Sequence, residues 1–324
     1  MSANTSIQDL DYDYPIELEA PDLSPYSAGT DGIPYVHTYR AEAPGPHVAL
    51  TAVVHGNELC GAIALKRLLD AGLRPARGTL SLAFINIAAY AAFDPQKPGA
   101  SRWVDEDFNR LWSAAILESD RQSVELTRAR ELRPFVDTID LLLDIHSMQH
   151  GVMPLMMAGP TDKGAALART VGTPAVIVAD AGHAAGPRLR DYAAFADPAS
   201  PKNAVLVECG QHWEAAAADI AADVAARFLV ATGAVTADAV AGDFQPLPEA
   251  QRLIRVTGPV TVRNETFTFA QPFRGMELLE KAGTLIGHDG DEPVVTPYDG
   301  CVLIMPSKRL WRGQTAVRLG RYEG

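Results

Sequence analysis

The sequence predicts an α/β protein in which a sheet is flanked by helices and followed by a small all-β region. Short apolar, β-branched runs alternate with segments of helical periodicity between residues 47 and 235. Beyond residue 242 the apolar runs are short and β-like, with frequent Gly and Pro between them. Because the chain has 324 residues, it is long enough for two domains, which we place at residues 1–241 and 242–324.

The predicted elements alternate along the first region, after an irregular, Pro-rich lead-in over residues 1–46 with one or two edge strands. The predicted strands of this region cover residues 48–54, 79–85, 141–146, 154–158, 175–178 and 204–207. The predicted helices cover residues 59–69, 118–135, 162–171 and 214–232. In the second region, β-type runs cover residues 252–256, 266–269, 294–296 and 301–305.

The C-terminal region looks like the β-sandwich of lipoyl and biotinyl domains in residues 281–287 and 297–302. Those carrier domains present a modifiable Lys on a hairpin tip, usually flanked by acidic residues or Met. Here Lys308 stands in the tetrapeptide PSKR instead. The sequence therefore predicts a non-lipoylated sandwich that helps to shape the entrance of a site.

The most informative motif is His55-Gly56-Asn57-Glu58, which follows the buried strand at 48–54. Side chains three residues apart on a strand-to-helix turn project to one side, so His55 and Glu58 are placed to bind one cation at the carboxyl end of a strand. His146 ends the strand at 141–146, and a set of two His and one Glu suits zinc with one coordination position open. The alternative for His146 is a hydrogen-bonded core histidine. Asp144 is placed to hydrogen-bond a ligand imidazole.

Further candidate residues follow another predicted strand or lie between the predicted strands. Glu208 follows the strand at 204–207, where burying a carboxylate without a partner or a task is costly. It is a candidate general base, and the alternative is a solvated loop carboxylate. Arg102, Asn109 and Arg110 share one charged segment, and arginine binds carboxylates bidentately and stabilises oxyanions. The alternative for this segment is a set of surface salt bridges with its acidic neighbours.

Four segments together resemble a known family. HGNELCG, Arg102 followed by DFNR, DIH and VECG occur in the order and approximate spacing of the succinylglutamate desuccinylase/aspartoacylase family. Members of this family are zinc amidohydrolases on a carboxypeptidase-like fold. The resemblance spans roughly residues 47–210, and it implies a zinc-carboxypeptidase-like mixed sheet in the first domain.

The resemblance also implies roles for the candidate residues. One zinc ion per chain would be bound by His55, Glu58 and His146. Glu208 would activate the attacking water, and Arg102 would polarise the scissile carbonyl. Asn109 and Arg110 would bind the substrate carboxylate.

The chain departs from the family at a second substrate contact. Aspartoacylases have a further Arg about ten residues before the base, where this chain has Pro198. Arg188 and Arg190 are the nearest upstream arginines, but neither lies in a matching motif, so N-acetylaspartate is not a safe substrate assignment. A tyrosine from the C-terminal domain can reach the family's site, and Tyr298 is the candidate here.

These residues predict a zinc-dependent deacylase that cleaves the amide bond of an N-acylated amino acid or a related small carboxylate-bearing amide. A metallocarboxypeptidase acting on peptide C-termini would use the same residue set. The C-terminal β region favours the deacylase, because it is expected to obstruct a long peptide. A non-catalytic binding protein is disfavoured, because no expected site position is missing from the four motifs.

Whole-chain properties are compatible with this prediction. The net charge of −12 argues against nucleic acid or an anionic membrane as a partner. No apolar run reaches the roughly 18–20 residues needed to span a bilayer, and the first 30 residues lack a basic-plus-apolar signal, so we expect a cytoplasmic protein. The 3 cysteines form no CxxC pair and are expected as small buried thiols. The sequence leaves the acyl group and a homo-oligomeric state open.

Overall fold

The computed structural model of the chain describes residues 14–182 and 185–323, which form a large sheet with helices packed on it. The strands are β1 (Val36–Arg40), β2 (His47–Ala52), β3 (Thr79–Phe84), β4 (Leu141–Met148), β5 (Leu155–Met157), β6 (Val176–Ala179), β7 (Asn203–Gln211), β8 (Arg252–Thr261), β9 (Phe267–Phe269), β10 (Leu278–Leu279), β11 (Leu285–Asp289), β12 (Glu292–Val295), β13 (Cys301–Ile304) and β14 (Thr315–Tyr322). The α-helices are α1 (Leu59–Asp70), α2 (Ile87–Ala91), α3 (Ala114–Leu117), α4 (Val124–Val136), α5 (Asp162–Val171) and α6 (Ala215–Ala231).

The large sheet has 11 strands in the order β1-β3-β2-β4-β7-β5-β6-β8-β14-β13-β10. Strands β3, β2, β4 and β7 are parallel to one another, as are β5, β6 and β8, whereas β5 and β7 pair antiparallel. β1 lies at the sheet edge, as predicted for the lead-in over residues 1–46, of which 1–13 fall outside the described residues. A separate three-stranded antiparallel sheet, β12-β11-β9, lies in the C-terminal region. The predicted fold class is confirmed.

Helices cover both faces of the sheet, because successive strand residues alternate between two apolar cores. Val48 and Leu50 pack in one core with residues of α1, α5 and α6. Ala49 and Leu142 pack in the other core with residues of α4. In the part of the chain that the structure describes, no helix has both the length and the apolar character needed to cross a bilayer.

The helix predicted over residues 118–135 is shorter than expected. It begins only at Val124, after a separate short helix, α3. Ser123 explains this start, because its hydroxyl accepts a hydrogen bond from the Leu126 N–H at 2.9 Å and so caps α4. Residues 118–122, between α3 and the capping residue of α4, therefore form a loop.

The C-terminal region is all-β, as predicted, but most of its strands continue the large sheet. β8 pairs in parallel with β6, and β14, β13 and β10 follow β8 in turn. The sequence prediction lacks β14, where Arg318, Gly320 and Arg321 interrupt the apolar pattern. Since sheet hydrogen bonds connect residues on the two sides of position 241, the division at this position stays a prediction.

Candidate active site

The candidate site lies at the carboxyl ends of β2, β4 and β7, three adjacent parallel strands. After β2 the chain turns through His55 to Glu58, which directly precedes α1. His146 lies near the end of β4, and its Cα pairs in register with that of Glu208 on β7. The register of the sheet therefore brings together residues that are far apart in the sequence.

The turn between β2 and α1 has a constrained backbone. Val53 has a φ of 53°, a left-handed conformation that β-branched residues rarely adopt. At Gly56 an added Cβ would lie 2.3 Å from the carbonyl carbon of Ala89, so only glycine lets the turn pack against α2. The Gly56 N–H also donates a hydrogen bond to the carbonyl oxygen of Arg102 at 3.2 Å. Packing and hydrogen bonding thus hold the turn against the segment that carries Arg102.

His55, Glu58 and His146 form a buried cluster whose possible ligand atoms all lie within 4.8 Å of one another. Glu58 Oε1 lies 2.7 Å from His55 Nδ1, and Glu58 Oε2 lies 2.9 Å from His146 Nδ1. Two imidazole nitrogens and one carboxylate are a donor set that zinc uses in catalytic sites. The chemistry and the closeness of these donors therefore fit a metal ion such as zinc.

Carboxylates hold the other ring nitrogen of each histidine. Asp107 Oδ1 lies 2.9 Å from His55 Nε2, and Asp144 Oδ2 lies 2.9 Å from His146 Nε2. The Thr51 hydroxyl donates a hydrogen bond to Asp144 Oδ1 at 2.6 Å. Carboxylates in this position orient ligand histidines and set their tautomer. The hydrogen bond that the sequence allows for Asp144 is present.

The charges of the cluster favour a bound cation. Burial raises the pKa of Glu58, but His55 and His146 outweigh burial and bring this pKa well below its usual range. Burial lowers the pKa of His146, but Asp144 and Glu58 outweigh it and bring this pKa well above its usual range. The carboxylates around the two imidazoles thus attract positive charge, which a metal ion would supply.

Glu208 lies in the same cavity and is only 8% exposed. Among the described residues, its Oε2 atom is buried and has no hydrogen-bond partner. Burial raises the pKa of Glu208 to about 8; His146 opposes this rise and Glu58 adds to it. A carboxyl group with a pKa near neutrality is suited to accept and return a proton.

Arg102 lies beside the candidate metal-binding cluster, at the end of the 3-10 turn Ala100–Arg102. Its Nη1 atom lies 3.3 Å from Glu58 Oε1. Its Nη2 atom lies 2.9 Å from His55 Nε2 and 3.6 Å from Asp107 Oδ2. These contacts fix a cationic group at the cavity wall, next to the candidate metal ligands.

Asn109 and Arg110 lie on a second 3-10 turn, which Asp107 caps by accepting a hydrogen bond from the Asn109 N–H at 3.0 Å. Asn109 Oδ1 accepts a hydrogen bond from the Leu189 N–H at 2.8 Å. Arg110 Nη2 lies 3.8 Å from Asp107 Oδ2. Burial lowers the pKa of Arg110 to about 10, with Asp107 opposing this change, so Arg110 remains a cation at neutral pH.

A cavity of about 380 Å³ has a volume that suits a small ligand, and its lining includes His55, Glu58, Arg102, Asp107, Asn109, Arg110, His146 and Glu208. Arg188, from the loop after β6, also lines it. The C-terminal region supplies Met305, Arg309, Trp311 and Arg318 to its wall. Both predicted domains therefore contribute to the site.

Sequence comparison identifies the family of this chain. Residues 44–232, more than half of the chain, match the model of the succinylglutamate desuccinylase/aspartoacylase catalytic domain. The chain belongs to the succinylglutamate desuccinylase/aspartoacylase family. The resemblance based on the four sequence motifs is thus confirmed. No curated protein matches the chain in a sequence search.

Solved structures share the fold of this family member at low sequence identity. Succinylglutamate desuccinylase from Vibrio cholerae has a TM-score of 0.64 and 17% identity, over 91% of this chain and 92% of that one. The ectoine utilization protein EutE (DoeB) from Ruegeria pomeroyi, in a product-bound structure, has a TM-score of 0.62 and 20% identity, over 89% and 88%. Murine aminoacylase 3 has a TM-score of 0.58 and 21% identity, over 87% and 97%.

Two residues considered as substrate contacts for this family member do not line the cavity. The Tyr298 hydroxyl hydrogen-bonds the Thr257 hydroxyl, and the guanidinium carbon of Arg321 lies 3.9 Å from the centroid of its ring. Arg190 is fully buried and pairs with Asp191 at 2.6 Å. The structure therefore does not bring Tyr298 to the site, because its ring and hydroxyl are engaged within the C-terminal strands.

Sequence reasoning missed two residues of the site. Asp107 enters the sequence prediction only among the acidic neighbours of the arginines, although its place in DFNR, two residues before Asn109, is a usable signal. Arg318 belongs to none of the family motifs. Only the pairing of β14 with β8 brings it to the cavity, and no local pattern in the sequence indicates that pairing.

Proposed function

We propose that the protein is a zinc-dependent deacylase that hydrolyses the amide bond of an N-acylated amino acid or a related small carboxylate-bearing amide. The observation that carries this proposal is that one cavity contains both the His55-Glu58-His146 cluster and the buried carboxylate of Glu208. The names of the structural neighbours, desuccinylase and aminoacylase, support removal of an acyl group from an amino acid.

The proposed reaction assigns one task to each group. A zinc ion bound by the cluster, one per chain, would polarise the acyl carbonyl and acidify water. Glu208 accepts a proton from the attacking water and returns it to the departing amine. Arg102 stabilises the negative charge that develops on the carbonyl oxygen. The oxygen of water bonds to the acyl carbon as the carbonyl π bond opens, and the C–N bond then breaks as its nitrogen takes the proton from Glu208, so the products are a carboxylate and an amine.

Substrate binding is assigned to Asn109 and Arg110, which would hold a carboxylate of the substrate. The support for this assignment is that Arg110 lines the same cavity as the candidate metal ligands and keeps its positive charge at neutral pH. The wall contributed by the C-terminal region favours a small amide over a peptide chain. We therefore keep the deacylase, and not the carboxypeptidase, as the proposed activity.

Release of primary amine from a panel of N-acyl amino acids tests the proposal. The panel is incubated with zinc-reconstituted protein and with its Glu208→Gln variant. We expect the parent to release amine and the variant to lose about 10³-fold in kcat, because general acid–base catalysis contributes about 10²–10⁴-fold. The bound zinc, measured by elemental analysis, should stay at one ion per chain in the variant.

The exposed carboxylate of Glu249 provides a matched control. Glu249→Gln makes the same chemical change outside the cavity lining and should leave kcat unaltered. Near-normal activity of Glu208→Gln would show that another group acts as the base. Release of C-terminal residues from peptides, without hydrolysis of the acyl amino acids, would favour the carboxypeptidase instead.

A further inference from the structure

The ammonium of Lys163 lies among backbone carbonyls, outside the lining of the candidate active-site cavity. Lys163 is in the first turn of α5, and its Nζ atom donates hydrogen bonds to carbonyl oxygens of the segment 194–202. The four acceptors are the carbonyl oxygens of Ala194 at 3.1 Å, Asp197 at 2.6 Å, Ser200 at 3.1 Å and Lys202 at 2.6 Å. These four oxygens form a carbonyl cage around one positive charge.

The carbonyl cage offers more acceptors than an ammonium group can use. A lysine side chain has three N–H donors, which can point in only three directions at a time. Four oxygens nevertheless lie within hydrogen-bonding distance of Nζ. A spherical ion has no such limit, because it attracts every oxygen around it at once. The four acceptors are therefore arranged as the coordination shell of an ion.

The type of oxygen and the distances indicate which ion fits the cage. Backbone carbonyls are neutral, and in potassium channels they replace the hydration shell of the ion. Calcium binds oxygen at about 2.3–2.6 Å and magnesium at about 2.0–2.1 Å. The oxygens of the cage lie farther out, at 2.6–3.1 Å from Nζ. The shell therefore suits a large monovalent cation better than a divalent one.

The segment is held in this shape by contacts within itself. Pro198 and Pro201 restrict the backbone, because the ring of proline fixes φ. Asp197 Oδ1 accepts a hydrogen bond from the Ala199 N–H at 2.9 Å, and the Asp197 carbonyl oxygen accepts one from the Ser200 N–H at 3.1 Å. These contacts do not involve the lysine ammonium. We therefore expect the four carbonyls to stay together when the ammonium is removed.

The position of Lys163 shows that the cage attracts a cation strongly. The helix dipole disfavours a positive charge in the first turn of a helix. Burial lowers the pKa of Lys163, with Asp197 opposing this change and Arg190 adding to it. The contacts with the carbonyls thus outweigh the helix dipole, the partial burial and the repulsion from Arg190.

We propose that residues 194–202 form a binding site for a monovalent cation of the size of potassium or ammonium, and that the ammonium of Lys163 occupies this site as a tethered cation. The proposal goes beyond the deacylase function and does not depend on it. The segment leads directly into β7, so the cation fixes the start of the strand that carries Glu208. Removing the tethered cation should weaken the fold, and a free cation should restore it.

Lys163→Ala tests the site, because it removes the ammonium and leaves every carbonyl of the cage in the chain. Urea denaturation is monitored by circular dichroism in potassium, ammonium and choline chloride at equal ionic strength, so that screening is the same. In choline chloride, we expect the midpoint of the variant to lie about 1 M below that of the parent, because hydrogen bonds to a charged group are lost. Potassium and ammonium should restore most of this loss and saturate, as ligands of the folded state do. The parent should respond equally to the three salts.

Lys202→Ala is the matched control. The ammonium of Lys202 donates hydrogen bonds to the carbonyl oxygens of Asp137 at 2.6 Å and Ile139 at 2.9 Å, and two carbonyls do not surround an ion. This variant should lose stability without a specific gain from potassium or ammonium. The same gain in Lys202→Ala would reveal a general salt effect and overturn the proposal.

Two results for Lys163→Ala would also overturn the proposal. One is a midpoint equal to that of the parent in choline chloride, and the other is the same lowered midpoint in all three salts. If Lys163→Ala does not fold in choline chloride, its refolding from urea decides the question. Folding in potassium or ammonium chloride would support the site, and failure to fold in all three salts would count against it.

Discussion

Asp107 contacts the candidate metal ligand His55 and two neighbouring arginines, Arg102 and Arg110. Its Oδ1 atom lies 2.9 Å from His55 Nε2, and its Oδ2 atom lies 3.6 Å from Arg102 and 3.8 Å from Arg110. Burial raises the pKa of Asp107, but Arg110, His55 and Arg102 outweigh burial and hold it well below its usual range. One charged carboxylate therefore orients an imidazole and two guanidinium groups, which makes Asp107 a positioning residue.

Replacing Asp107 by Asn tests this role, because the variant keeps the size of the side chain and removes its charge. We expect the affinity for zinc to fall about 10–100-fold, as for other carboxylates that orient ligand histidines. Competition with a chromophoric chelator measures this affinity. Asp120→Asn, which alters an exposed carboxylate, should leave it unchanged. Equal zinc affinities for parent and Asp107→Asn would mean that His55 is oriented without Asp107.

At the scale of elements, α4 holds the segment that leads from Arg102 to the DFNR turn. Glu125, in the first turn of α4, is fully buried. Its Oε1 atom accepts hydrogen bonds from the Val104 N–H at 2.7 Å and from Asn86 Nδ2 at 3.2 Å. Its Oε2 atom accepts hydrogen bonds from the N–H groups of Asp105 and Glu106, at 3.0 and 3.3 Å. One carboxylate thus satisfies three backbone donors of an otherwise irregular segment.

Glu125→Gln should therefore destabilise the protein. The amide keeps one acceptor oxygen, but its NH₂ group would face backbone N–H donors, so we expect the free energy of unfolding to fall by about 2–3 kcal/mol. Urea denaturation monitored by circular dichroism measures the change. Glu131→Gln, on the same helix with a side chain 45% exposed, is the matched control and should alter stability little. An unfolding free energy equal to that of the parent would show that Glu125 does not organise the segment.

The elements that carry the candidate metal-binding cluster and Glu208 were predictable because each combines two local signals. An apolar, β-branched run predicts a buried strand, and a histidine or glutamate near its end requires a partner or a task. His55, His146 and Glu208 all meet this description. The start of α4 was not predictable from charge and periodicity alone, because the hydrogen bond from Ser123 decides where the helix begins.

The contribution of the C-terminal strands was the least predictable part of the site. Which strand pairs with β6 is decided by long-range hydrogen bonds and by the shared core, and neither leaves a periodic pattern in the sequence. The same reasoning placed Tyr298 at the site and overlooked Arg318. Charge alone cannot separate a cavity-lining arginine such as Arg318 from an exposed one such as Arg321.

At the scale of the whole molecule, the predicted boundary at 241 crosses a continuous sheet and a continuous core. Val178 of β6 pairs with Ile254 of β8. A single apolar cluster contains Met157 and Leu206 from the first region together with Ile254, Val302 and further residues from the second. Since neither region buries this core alone, we expect the two regions to unfold together.

The three cysteines report on this cooperativity, because all are free and buried and they lie on both sides of the boundary. Pulsed alkylation at increasing urea, followed by peptide mass spectrometry, measures when Cys60, Cys209 and Cys301 become reactive. We expect one shared midpoint, and we expect Glu125→Gln to shift it to lower urea for all three thiols, because a cooperative unit transmits the destabilisation of α4 to β13. If Cys301 reacts at lower urea than the other two, or keeps its midpoint in Glu125→Gln, the C-terminal strands unfold on their own. The boundary at 241 would then separate two folding units, and the wall that carries Arg318 would be able to leave the site without unfolding the rest of it.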